Sequence, residues 1–132
     1  MHKVIKINEF AATRMVELQN ELTGNIDICF DDSALVSINN FEFMKVGNRY
    51  SCFIELFGEM AEEGNSEAVT CKIISNERIG NGNFLKVFVG KEIYYVPRSQ
   101  VGSMPMKEFL FAYTRKDLIK VDEVIHEDLL NE

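Results

Sequence analysis

The sequence predicts an α+β fold: a mostly antiparallel, strongly curled sheet or small β-barrel with an N-terminal helix and a C-terminal helix. Three observations lead there. Ala68–Pro97 holds the densest run of β-forming residues and reads as three strands joined by turns. Residues 25–31 alternate apolar and polar groups, the signature of a half-buried strand. Residues 9–22 and 122–132 carry helical spacing and capping residues. A chain of 132 residues fits a single domain, 1–132, with a core of its own.

Taken in order, Lys3–Ile7 is a short strand and Asn8 a helix N-cap. Ala11, Met15, Leu18 and Leu22 then share one face of a helix over residues 9–22, which Thr23-Gly24 closes. In the next strand Ile26, Ile28 and Phe30 face one way, with Asp27, Cys29 and Asp31 facing the other. Asp31-Asp32-Ser33 is turn chemistry, and Ala34–Ile38 is a further strand. After the apolar segment Phe41–Val46 and the turn Gly47-Asn48-Arg49, Tyr50–Phe57 is apolar on both faces, as in a central strand.

The loop Gly58–Glu67 carries only acids. Ala68–Ser75, Phe84–Val89 and Ile93–Val96 form a meander, with asparagine-glycine turns at 76–83 and a two-residue turn at Gly90-Lys91. Pro97 ends it. Met104–Tyr113 fits either a helix opened by Pro105 or a strand through Phe109–Tyr113. Thr114–Asp117 then turns the chain into Leu118–Val121. Asp122 caps a terminal helix whose Val124, Ile125, Leu129 and Leu130 can dock on the body.

The net charge of −7 disfavours nucleic acid and anionic membrane surfaces and favours a basic protein partner. No apolar run is long enough for a membrane helix, and the N-terminus lacks the pattern of a signal peptide. Cys29, Cys52 and Cys71 lie far apart inside predicted strands, as free thiols of a reducing cytoplasm do. No motif for catalysis, a metal or a cofactor stands out. Gly80 and Gly82 lie between strands and not before a helix, so they predict a hairpin and not a phosphate loop. His2 and His126 have no nucleophile near them in sequence.

Two resemblances add to this. Asp31, Ser33 and Val36 partly match an Asp/Asn-x-Ser-x-x-Gly element, with Val36 where the glycine belongs, and Lys45–Leu56 matches the strand after it. Over residues 25–90 the chain thereby resembles PilZ domains, small barrels that bind a cyclic dinucleotide. The family's upstream Arg-x-x-x-Arg is missing, with Arg14 alone on the predicted helix. The resemblance implies the barrel and a lost phosphate clamp. In size, acidity and lack of catalytic motifs the chain also resembles small acidic immunity proteins of bacterial toxin–immunity systems.

The expectation is a bacterial, cytoplasmic, non-enzymatic inhibitor, immunity- or antitoxin-like, that docks an acidic surface on a basic toxin such as a nuclease. The docking residues expected are Glu59, Glu62, Glu63 and Glu67 of the loop and Asp122, Glu123, Glu127 and Asp128 of the tail. No cofactor and no metal is expected. The alternative is a small-ligand or nucleotide-binding β-barrel of PilZ-like or OB-like type, with Tyr94 or Tyr95 as aromatic anchor and Arg98 as its cation.

Overall fold

The computed structural model describes residues 1–33, 41–102 and 107–130. Its strands are β1 (His2–Glu9), β2 (Arg14–Asn20), β3 (Ile26–Asp31), β4 (Arg49–Tyr50), β5 (Cys52–Met60), β6 (Val69–Ile79), β7 (Gly82–Val89), β8 (Glu92–Pro97), β9 (Glu108–Val121) and β10 (Val124–Ile125). All belong to one curled, mixed sheet ordered β4-β1-β2-β3-β9-β5-β8-β7-β6, with β10 on β9. A further pairing of β9 with β6 closes β9, β5, β8, β7 and β6 into a ring. Two contacts are parallel, Phe30 beside Asp117 and Glu55 beside Tyr95.

Both predicted helices are corrections. Residues 9–22 form the end of β1, a short loop and β2, in a hairpin closed by the Phe10 amide on the Thr13 carbonyl at 2.8 Å. Val16 and Leu18 are fully buried while Leu22 is 92% exposed, so the governing period is two and not 3.6. Leu18 fits both periods, and a short window cannot separate them. Gly24 does take a left-handed φ of 79°, but in the β2–β3 turn. The terminal segment is no helix either. Asp122 (φ 52°) and Glu123 make a two-residue turn that pairs Val121 with Val124, and only a 3₁₀ turn follows at Glu127–Leu129. The class is therefore all-β in the described residues, of which 61% are strand and 6% helical.

The meander of β6, β7 and β8 is present, turning at Gly80-Asn81 and Gly90-Lys91. The tail docks on the first of these turns through the Asn81 amide and the Leu129 carbonyl, at 2.5 Å. Ile125 and Leu129 cover a small outer core of Ile79, Phe84, Tyr95 and Ile119. The ring encloses the main core, with Ile54, Leu56, Leu85, Val87, Phe111 and Leu118 at its centre. The predicted turn at Thr114–Asp117 does not exist, because β9 runs unbroken through it. The strand expected at Ala34–Ile38, together with Val36, Met104 and Pro105, lies outside the described residues.

The face choice of β3 is inverted. Its alternation holds, but Asp27, Cys29 and Asp31 point inward at 3% exposure or less. Ile26 and Ile28 lie outward, 51% and 54% exposed. Ion pairs make this possible. Lys116 reaches Asp27 at 2.5 Å, Tyr94 donates to the same oxygen at 2.7 Å, and Arg14 grips Asp31 at 2.9 Å. Burial pulls the Lys116 ammonium down, but Asp27 more than offsets it and leaves Lys116 above its ordinary value.

Candidate functional site

The inversion leaves an apolar strip facing solvent where a sheet normally hides one. From Ile26 and Ile28 it runs to Phe30, across β9 at Arg115, and on to Phe57 of β5. The Arg115 guanidinium lies over both rings, 4.9 Å from the centre of Phe30 and 4.8 Å from that of Phe57. Asp117 fixes it with two hydrogen bonds of 2.6 and 3.1 Å and raises its pKa. Aromatic rings and arginine are the residue types enriched where proteins bind one another.

Carboxylates crowd the side of this strip. Glu55, the cross-strand neighbour of Asp117, is largely covered. Burial, then the charge of Asp117, pushes its carboxyl up to about 7, with Arg115 pulling the other way and Asp32 adding to the rise. Burial also pushes Asp117 up, and the hydrogen bond to Arg115 does not fully reverse that. Asp32 holds His126 Nε2 at 2.8 Å, and the Asp128 amide donates to Nδ1 at 3.1 Å. Asp32, Glu55, Asp117 and Asp128 thus meet one guanidinium and one imidazole.

Glu55 costs the fold stability at neutral pH. Its carboxyl gains a proton more readily when folded, so stability falls as pH rises from the ordinary value of 4.5 through about 7. A strained carboxylate on a surface is a mark of a working site, and an incoming cation would relieve it.

Asp32, His126 and Asp128 offer ligand atoms within 4.8 Å of one another, the residue types of a metal site. Here Nδ1 accepts an amide proton, so Nε2 carries the ring proton to Asp32. A ligating imidazole needs one free nitrogen and a proton on the other. As built, the group orients the tail and does not suit an ion.

The predicted docking acids do not gather. Glu59 is exposed near the end of β5, opposite Ala112, and Glu62, Glu63 and Glu67 are exposed in the loop beyond the Met60–Phe111 pair. The tail turn lies beyond the opposite end of β5, at the Cys52–Val121 pair. Eight strand steps, about 26 Å, separate the two ends. Asp122 spends its carboxylate on the Ser51 amide at 2.8 Å, and Glu123 is exposed beside it. Glu127 is half-buried, and only Asp128 joins the central cluster.

Tyr94 and Tyr95 lie on opposite sheet faces, but both are buried, at 5% and 4% exposure. Tyr94 is bound to Asp27, and Tyr95 stacks on Phe53 at 4.7 Å. Neither offers a free ring face. Arg98 donates to the Val101 carbonyl at 3.3 Å, just past β8.

Arg14, expected alone on a helix, instead meets Asp31 and Ser33 in a cavity of about 210 Å³. Its Nε and Nη2 go to Asp31 and its Nη2 also to the Phe41 carbonyl, at 2.8 Å. Glu9 and Glu42 share the cavity wall. Arg14 therefore pins the inverted strand, and the carboxylates around it oppose a phosphate.

Sequence reasoning missed Glu55, Arg115, Asp117, Phe30 and Phe57. One signal was available: Glu55 is the single acid inside the apolar run YSCFIELF. Among the described residues no helix is long and apolar enough to cross a membrane. No protein-family model, no curated protein and no solved structure matches the chain significantly.

Proposed function

We propose that the chain is a non-enzymatic binding protein that docks a basic segment of another protein on the outer face of β3, β9 and β5. This is the activity that an immunity- or antitoxin-like inhibitor of a basic toxin requires. The observation that carries it is the outward apolar side of β3, which runs directly into a row with surplus carboxylates. Ile28, Phe30 and Phe57 supply area to desolvate. Glu55, Asp117 and Asp32 supply a seat for a lysine or arginine head group, whose stem lies along the rings. The acids of the 58–67 loop and of the tail steer from a distance, each worth about 0–1 kcal/mol at best.

Calorimetry with two designed peptides of equal length tests this, one alternating lysine with leucine and one alternating glutamate with leucine. The basic peptide is expected to bind and the acidic one not to. Phe57→Ala and Glu55→Gln are each expected to weaken binding about tenfold, the worth of roughly one well-placed contact. High salt weakens it further. Equal binding of both peptides, or wild-type affinity in both variants, overturns the proposal.

A further inference from the structure

A second cavity, of about 240 Å³, opens beside the stacked pair Phe53 and Tyr95, outside the face described above. Phe53, Ile93 and Leu22 give it apolar walls, and Lys86 and Lys91 reach into the same space. No carboxylate lines it, although the chain has 21 acids against 14 bases. Acids around it are engaged elsewhere: Glu21, next to the lining Leu22, pairs with Arg49 at 3.3 Å. Glu92 is held by Asn20, Thr23 and Asn25, Asp122 by the Ser51 amide, and Glu77 by the Ser75 hydroxyl.

The lysines are positioned by the meander. Lys86 stands opposite Tyr95 across β7 and β8, and Lys91 occupies the turn that Gly90 permits with a φ of 62°. Lys120, outside the cavity lining, lies 5.0 Å over the Phe53 ring. Ammonium groups around an aromatic wall, without an acid between them, suit an anion attached to a flat apolar body. The volume falls below the roughly 300 Å³ of a drug-sized pocket, so the body is a single ring. The overall −7 charge opposes a polyanion such as nucleic acid, whereas a small ligand meets chiefly the adjacent lysines.

We infer that this cavity binds a small aromatic phosphate, its ring against Phe53 and Ile93 and its phosphate between Lys86 and Lys91. The inference is independent of the basic-partner reading, which concerns other residues.

NMR titration of the full chain with phenyl phosphate tests it, with inorganic phosphate and phenol as comparisons. Saturable shifts are expected at Lys86, Lys91 and Ile93. Phenyl phosphate is expected to bind at least about tenfold more tightly than either fragment, since each fragment makes only half of the contacts. The double variant K86Q/K91Q should lose about tenfold or more in affinity while keeping its melting temperature, because charge-assisted contacts are lost and no core is touched. Glu55→Gln should leave the titration unchanged. Absence of a saturable shift, equal affinity for phosphate alone, or shifts centred on the Arg14 cavity overturns the inference.

Discussion

Lys116→Met is expected to destabilise the chain by about 3–5 kcal/mol at pH 7, because it strands a buried carboxylate. Asp27 is 3% exposed, and one of its oxygens already lacks a hydrogen-bond partner. Its other oxygen takes both the Lys116 ammonium and the Tyr94 hydroxyl. Removing the ammonium leaves the charge facing Tyr94 alone, inside the ring and beside Cys29. The same arrangement is why burial, and next the bond to Asp27, drives Tyr94 above its ordinary pKa. The double variant D27N/K116M should be more stable than K116M alone, because neutral partners replace an uncompensated charge. Denaturant unfolding of the wild type and the two variants at pH 7 checks this. A loss under about 1 kcal/mol for K116M at pH 7, the scale of an exposed pair, would show that the pair does not hold β3 inverted.

Gly58→Ala is the second large effect, expected to cost about 3 kcal/mol, at the upper end of overpacking losses. Gly58 sits at a register shift where β5 crosses the bend of β9. A β-carbon there falls onto the Ala112 carbonyl oxygen and within 2.6 Å of the Tyr113 Cα. These are backbone atoms, so no side chain can swing aside. The strands must separate, and the ring closed by β9 on β6 opens with them. Thermal unfolding is expected to show a melting temperature lower by roughly 10 °C. An unchanged melting temperature would mean that the bend is softer than its geometry states. Gly102→Ala, where a β-carbon meets only Met60 Sδ at 3.8 Å, is the matched comparison and should be nearly neutral.

These two sites show which parts of the fold were legible in the sequence. The meander 68–97 was readable because its information is local: β-branched runs, then Gly80-Asn81 and Gly90-Lys91 at positions needing special φ. Gly58 was hidden, because its constraint comes from a strand more than fifty residues away. The face of β3 was misassigned for the same reason. The compensation for burying Asp27 and Asp31 lies at Lys116 and Arg14, and Lys116 fell in a segment read as a turn. Once the acids are neutralised by partners, hydrophobicity no longer decides which side faces in. Residues 9–22 failed differently: Met15 and Leu18 suit a helical face, Val16 and Leu18 a strand face, and tertiary pairing with β1 and β3 chooses between them. The candidate site inherited these errors. Its apolar half is the misassigned side of β3, and its charged half is a Glu inside an apolar run and an Arg–Asp pair in the supposed turn.

The site's own chemistry offers the most direct test. Glu55 matters because it is a carboxylate held against its preference, waiting for a cation. NMR titration of the Glu55 side-chain carboxyl carbon, in the free chain and with the alternating lysine–leucine peptide, reads this in one experiment. In the free chain the carboxyl is predicted to titrate at about 7. With the basic peptide seated, it is predicted to return toward the ordinary value of 4.5, because an adjacent ammonium favours the ionised form. A free-chain midpoint already at the ordinary value, or a midpoint that the peptide leaves unmoved, would contradict the assignment of this face as a seat for a basic partner.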